Sequence, residues 1–164
     1  MARIRGEGPV TVSVLDRLID DDPKRSEEAM PTRAQSLRTL KAGLRRDLEW
    51  LLNTRQPVDL PSGTELQKSL YVYGLPDISS LGFSNLSDRE RLTRAIEVAV
   101  ARFEPRLANV RVNLTSVAGE KLPQLRFTIE GMLRIDPSPE HVTFDTLLEL
   151  SSKEYIVQGE NGAR

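Results

Sequence analysis

The segment AVARFEPRLANVRVNL, residues 99–114, is the most informative about the fold because a helical pattern turns into a strand pattern within it. Up to Phe103, apolar residues recur every three or four positions and form one face of a helix. From Val110 onward, apolar and polar residues alternate, which is typical of a strand with one buried side. Proline cannot continue a helix, so the sequence predicts a helix that ends at Glu104-Pro105-Arg106 and leads directly into a strand. The predicted helix face comprises Leu92, Ala95, Ile96, Ala99, Val100 and Phe103.

Capping signals and leucine spacing predict where the helices lie. Ser87 and Glu90 have the spacing of a capping box, which places the start of this helix at Ser87. A long helix is predicted upstream and stops before Pro57, and a short one is predicted near residues 14–19, ended by the acidic run 20–22 and Pro23. Their apolar positions are Leu37, Leu40, Leu44, Leu48, Leu51 and Leu52 in the long helix, and Val14 or Leu15 with Leu18 and Ile19 in the short one.

The last third of the chain has the alternation of a β-sheet. Besides the strand after the corner, two alternating runs cover residues 125–135 and 142–150, and the tail after Ser152 adds a short fourth candidate. The connections are short and rich in turn residues, so neighbouring strands pair antiparallel. The sequence therefore predicts an α+β fold, with an antiparallel three- to four-stranded meander packed on one face by helices.

Length and composition predict one domain. A chain of 164 residues is long enough for one core, and we assign residues 12–157 to a single α+β domain between a flexible N-terminus, 1–11, and a flexible tail, 158–164. Proline and glycine punctuate residues 53–85, which predicts a long loop with a short helix near 64–70. The net charge of -1 gives no general attraction to nucleic acid. No apolar run approaches the about 20 residues that span a bilayer, so we expect a cytoplasmic protein without direct membrane insertion.

Candidate catalytic groups are few. The chain has no cysteine and one histidine, His141, so we expect no metal site, no cofactor and no enzymatic activity. The alternative is a lysozyme-like peptidoglycan hydrolase, because glycoside hydrolysis needs only two carboxylic acids. Glu104 is the candidate acid, but Glu97 and Asp88 lie about two and more than four helical turns away.

Two charged features are candidates for protein binding. The long helix carries a basic strip of Arg38, Lys41, Arg45 and Arg46, which fits either a solvated surface or an acidic partner. At the corner, Glu104 lies at the negative end of a helix dipole and needs a compensating cation, while Pro105 fixes the backbone between the two charges. The corner is therefore either a structural turn or a rigid docking site whose charges are left for another polypeptide.

Six segments in order carry a family resemblance: SVLDRLIDDDP, RDLEWLLNTR, YGLPDISSL, FEPRLANVRV, LRFTIEGML and VTFDTLLEL. The chain resembles the TssE family of baseplate wedge subunits of the bacterial type VI secretion system, which is related to the lysozyme-like wedge proteins of contractile phage tails. The resemblance covers residues 12–157.

The resemblance implies a structural role with defined partners. It implies contact with the wedge subunits TssF and TssG and with sheath subunits of the first sheath ring. The family's Glu-Pro-Arg motif, which contacts the wedge core, corresponds to Glu104, Pro105 and Arg106. It further implies that sheath strands add to an exposed sheet edge, whose identity the sequence leaves open. On this basis we expect Glu104→Ala or Arg106→Ala to abolish partner binding with little loss of thermal stability.

Overall fold

The computed structural model describes residues 8–19, 31–57, 65–66, 69–78, 85–118 and 124–159. The described residues form three α-helices, α1 (Val14–Leu18), α2 (Arg33–Asn53) and α3 (Leu86–Phe103), and four strands. The strands are β1 (Leu107–Ala118), β2 (Gln124–Leu133), β3 (Glu140–Glu149) and β4 (Glu154–Val157). A 3₁₀ helix, Leu70–Val72, lies in the segment between α2 and α3. Three sets of predicted features lie outside the described residues: residues 20–23, residues 1–7 and 160–164 of the predicted flexible ends, and residues 64, 67 and 68 of the predicted helix at 64–70.

The sheet confirms the predicted meander. Its strand order is β1-β2-β3-β4 and each neighbouring pair is antiparallel. Buried and less buried residues alternate along β2 and β3, so one face of the sheet lies on the core and the other faces away. β1 contains register shifts between Ala108 and Arg111 and between Leu114 and Ser116. These irregularities bend the edge strand that follows the corner.

The core lies between α2, α3 and the inner face of the sheet. Four residues of the predicted face of α3 are buried, and the leucines of α2 at positions 40, 44, 48, 51 and 52 join them. The sheet contributes Phe127, whose ring meets that of Tyr155 edge to face at a centroid distance of 5.9 Å. A continuous apolar core of this kind is the main stabilising contribution to a domain of this size.

Helix starts differ in detail from the prediction. The N-cap of α3 is Asn85, whose side chain accepts a hydrogen bond from the Ser87 backbone N–H, so the predicted cap at Ser87 is two residues late. A capping box does start α2, where Thr32 and Gln35 bond each other's backbone. Asparagine and serine cap about equally well, so composition alone does not choose between neighbouring candidates.

The short helix α1 is placed by polar contacts. It has no buried residue, and Val14 and Leu18 are 69% and 76% exposed. The predicted apolar face of this helix therefore exists but is not covered by the described part of the chain. Ser13 caps α1, and the backbone N–H of Val10 donates to Ser36 Oγ at 2.8 Å, which ties the preceding segment to α2.

Candidate functional site

The corner after α3 is a tight turn that backbone hydrogen bonds hold at three points. The backbone N–H of Glu104 donates to the Val100 carbonyl at 2.8 Å and ends the helix. The Leu107 N–H donates to the Glu104 carbonyl at 3.1 Å, and the Arg106 carbonyl accepts from the Arg134 N–H at 2.8 Å. Pro105 is exposed at the outside of this turn. The backbone around Pro105 is thus held by a helix on one side and by the sheet on the other.

Glu104 and Arg106 are bonded to each other. Arg106 Nε donates to Glu104 Oε1 at 2.6 Å, and its Nη2 forms a second, shorter contact with Oε2. The Glu104 side chain is only 7% exposed and that of Arg106 is 24% exposed. The expectation that both charges are left for a partner is therefore wrong for Glu104. Arg106 is the cation that the position of Glu104 at the helix terminus requires.

The corner pair continues into a network that the sequence did not predict. Arg106 Nη2 also donates to Asp47 Oδ2 on α2 at 2.6 Å. Asp47 Oδ1 accepts from Arg46, which donates in turn to Asp16 Oδ1 on α1 at 2.8 Å. Carboxylates and guanidiniums alternate along this chain of contacts, which we call the corner network: Asp16, Arg46, Asp47, Arg106 and Glu104.

The charges of the network support one another. The hydrogen bond to Glu104 raises the pKa of Arg106, and a further bond to Asp47 acts in the same direction against desolvation. Burial disfavours ionised Asp16, but hydrogen bonds from Ser13 and Arg46 outweigh it and hold the pKa of Asp16 below its ordinary value. Burial, with the charges of Asp47 and Glu104, raises the pKa of Tyr73. The shifts of Asp16 and Arg106 therefore both favour the charged form of the side chain.

Close approach between α1 and α2 depends on a glycine. Gly43 is buried in α2, and a Cβ at this position would lie 2.6 Å from Asp16 Oδ2 and 2.9 Å from Oδ1. A Cβ essentially never approaches another heavy atom this closely, so Gly43 leaves the space that the Asp16 carboxylate fills. This is how Asp16 comes within reach of Arg46.

An open groove lies beside the corner. Its volume is about 360 Å³, and its wall combines part of the corner network with apolar side chains from α1, α2 and the segment before α3. Tyr73 and Phe103 meet edge to face at 5.2 Å, and Arg46 lies 5.0 Å above the centre of the Trp50 ring. The residues that line it are Ser13, Leu15, Asp47, Trp50, Leu51, Tyr73, Phe103, Glu104, Pro105 and Arg106.

Gly74 positions its neighbour Tyr73, which lines this groove. Its φ is +108°, and a Cβ would lie 2.4 Å from the Thr54 carbonyl oxygen. Leu75 next to it donates to that same carbonyl at 2.8 Å, which fixes the segment to the end of α2. Only glycine adopts this backbone at this distance without strain.

The basic strip of α2 is largely used within the fold. Lys41 forms an ion pair with Glu140 at 2.8 Å, Arg45 donates to the Val157 carbonyl at 3.4 Å, and Arg46 belongs to the corner network. Arg38 is exposed. These contacts favour the interpretation of the strip as a surface of the domain itself over an acidic partner, since a partner would have to displace them.

The described residues contain no cluster of three or more histidine or acidic side chains placed to hold a metal ion. Within the same residues, no helix has the length and apolar character needed to cross a membrane. His141 is exposed on β3, where it pairs with Met132 of β2.

A match to a family model shows which protein family the chain belongs to. The family model described as baseplate wedge protein gp25 matches residues 38–138, which is more than half of the chain and includes most of α2, all of α3 and the corner. The chain belongs to the baseplate wedge protein gp25 family. Its role is thus structural, in the baseplate of a contractile, phage-tail-like system, with other baseplate proteins as partners. No curated protein and no solved structure matches the chain.

Proposed function

We propose that this chain is a baseplate subunit of a type VI secretion system that joins a wedge of TssF and TssG to the first ring of the contractile sheath. Its family supports the baseplate role, and the six-segment resemblance supports the secretion system. The observation that carries the wedge contact is an exposed Pro105 on a turn whose flanking charges, Glu104 and Arg106, are locked together. In this proposal the chain is cytoplasmic and has no enzymatic activity.

The corner suits docking through shape more than through free charge. Its backbone is fixed by helix and sheet bonds, so a partner that covers Pro105 orders little that is not already ordered. The groove beside it offers apolar contact at Leu15 and at Trp50, which is 53% exposed. We propose that the wedge partner packs on Pro105 and Trp50, while Glu104 and Arg106 hold the turn in shape and only the outer part of Arg106 is contacted.

The geometry of the carboxylates supports an assembly role over a hydrolase. A glycoside hydrolase needs one carboxylic acid that holds a proton and a second carboxylate across a substrate cleft. At the corner, Glu104 and Asp47 are instead bridged by Nη2 of Arg106. A bridged pair of this kind leaves no room for a sugar ring between its members.

Co-purification from cells that carry the secretion operon tests the wedge contact. We expect Trp50→Ala to lose TssF and TssG while its melting temperature stays close to that of the unmodified chain. Leu86→Ala is the matched control because Leu86 is 67% exposed and lies at the opposite end of α3 from the corner. Retention of both partners by Trp50→Ala at the level of Leu86→Ala would exclude the groove as the contact. Recovery of neither partner with the unmodified chain would contradict the proposed function.

A further inference from the structure

The outward side of α3 carries a row of exposed residues that take no part in the core. Arg91, Arg94, Val98 and Arg102 follow one another at intervals of three and four residues, which places them in one stripe along the helix. The Arg91 side chain is 75% exposed and Val98 is 48% exposed, and Arg94 and Arg102 are exposed as well. We call these four residues the α3 stripe.

The fold holds the α3 stripe in a fixed orientation. Asn85 caps the start of the helix, and the corner ends it after Phe103. The opposite side of the helix is buried in the core, through Leu92, Ile96, Ala99 and Val100. At 1.5 Å per residue, Arg91 and Arg102 lie about 17 Å apart along the helix axis. A partner that binds the stripe therefore meets three positive charges in a preset row and orders little of this chain.

The acidic residues near the stripe neutralise it only in part. Glu97 turns toward β1, where it accepts a hydrogen bond from a backbone N–H at 3.0 Å, and Glu104 is enclosed in the corner network. Asp88 lies 3.7 Å from Arg91, and an exposed ion pair of this kind contributes about 0–1 kcal/mol. Asp88 and Glu90 both belong to the first turns of the helix. The excess of positive charge at the surface therefore lies toward the C-terminal half of α3.

The α3 stripe differs from the basic strip of α2 in how its charges are used. Most cations of the α2 strip are bonded to groups of the domain itself. Within the described part of the chain, Arg94 and Arg102 form no ion pair, and Arg102 lies 5.9 Å from the centre of the neighbouring Phe103 ring. A partner at the stripe would therefore have no salt bridge of these two arginines to displace.

The shape and spacing of the stripe fit an acidic helix. Between Arg94 and Arg102 lie Val98 and the exposed Ala101, and such short side chains let a second helix approach to about 8–10 Å between axes. The two arginines are eight residues apart, or about 12 Å, which matches two carboxylates at positions i and i+8 of a helix that lies alongside. Guanidinium groups form strong, charge-assisted hydrogen bonds with carboxylates.

We propose that the α3 stripe is a further docking surface, which binds an acidic helix of a baseplate partner through complementary charge. This inference rests on the proposed wedge contact and adds a surface to it, since none of the four stripe residues lines the groove beside the corner. Carboxylates of the partner pair with Arg94 and Arg102, and an apolar side chain between them packs on Val98. Exposed charges of this kind act mainly on the rate of association.

Binding kinetics of the full chain with a purified complex of TssF and TssG test the stripe. The test variant combines Arg94→Gln with Arg102→Gln. The matched control combines Arg38→Gln with Arg126→Gln, because these two arginines are also exposed but lie on α2 and β2. Glutamine is a good helix former, so both proteins should melt near the temperature of the unmodified chain. At low salt we expect the stripe variant to associate about tenfold more slowly than the control, with similar dissociation rates.

The dependence on salt separates attraction between charges from other causes. The difference in association rate should shrink as salt rises, because salt screens exposed charges. A difference that persists at high salt, or equal association rates at low salt, would overturn the stripe as a docking surface while the wedge contact stands. Absence of binding by the unmodified chain overturns the proposed function as well. Binding of duplex DNA that only the stripe variant loses would assign the arginines to nucleic acid and contradict a protein partner.

Discussion

The two ends of the corner network contain the same kind of ion pair on very different supports. Glu104 and Arg106 lie between α3 and β1, which are held by the core. Asp16 and Arg46 join α2 to α1, a five-residue helix without a buried residue. The two carboxylates are similarly enclosed, since the Asp16 side chain is 4% exposed and that of Glu104 is 7% exposed. At the corner the core holds the charges in place, whereas at α1 the charges hold the helix in place.

This difference separates global from local effects. A buried pair supported by the core is part of the cooperative unit, so its loss is felt by the whole domain. A pair that docks a short helix controls a local equilibrium, whose free energy can be far below that of global unfolding. Removal of the ion pair at the corner should therefore lower the stability of the whole domain, whereas removal of the pair at α1 should mainly affect that helix.

The largest loss of stability is expected when the Glu104–Arg106 pair is removed. Arg106→Ala leaves Glu104 enclosed without its cation, and breaking a buried pair in this way costs about 3–5 kcal/mol. The sequence-based expectation of nearly unchanged stability therefore does not follow from the structure. Denaturant unfolding measures the loss. Arg102→Ala on the exposed side of α3 is the control, and equal stabilities of the two variants would show that the corner pair is not enclosed.

A smaller and local effect is expected at the α1 end. Asp16→Ala removes the hydrogen bonds to Ser13 and Arg46 but leaves Arg46 paired with Asp47, so the global loss should be about 1–2 kcal/mol. Hydrogen exchange in residues 13–18 should speed up by more than exchange in residues 100–107. Equal acceleration in both segments would contradict the distinction between the two ends.

Gly43→Ala is expected to have two opposing effects on stability, which helps to separate the docking of α1 from global unfolding. Alanine favours the helix by about 1 kcal/mol over glycine, but its methyl group would occupy the space of the Asp16 carboxylate. We expect nearly unchanged global stability together with faster exchange in residues 13–18. A stabilised domain with protected α1 would show that the Asp16 contact is not needed.

The smallest effect concerns the dependence of stability on acidic pH. The pKa of Asp16 is held below its ordinary value of 3.8, so its contribution to stability is present above that value and is lost as the pH falls through the lower, folded-state pKa. The stability difference between the unmodified chain and Asp16→Asn should therefore stay constant from about pH 7 to about pH 5 and shrink between about pH 5 and about pH 2. Thermal unfolding over this range measures it, and a difference that grows on acidification would contradict the assigned direction.

Local patterns predicted most of the fold. The alternation in residues 110–150 and the heptad-like spacing in α2 and α3 reflect burial on one side, which is a property of consecutive residues. The exposed apolar face of α1 shows where this reasoning stops. Spacing identifies an apolar face, but only packing shows whether another element covers it.

The site was predicted in part. The corner residues follow from the helix-to-strand change and the proline, and their use as a docking surface stays a prediction. Asp47 and Asp16 were missed, because they lie 59 and 90 residues before Arg106 and no local spacing signals such contacts. Arg46, a third member of the corner network, was assigned to the basic strip of α2, because a helical wheel does not distinguish its charge from that of Arg45.

Patterns in the sequence were enough to predict the helices, the strands, the meander and the position of the rigid turn, because each of these depends on residues near one another in the chain. The tertiary structure alone decided that Glu104 is enclosed, that Asp47 links the corner to α1, and that Arg45 of α2 bonds to the backbone of β4. Those features depend on contacts between residues 30 to 112 positions apart, and such contacts exist only after the core has brought the elements together.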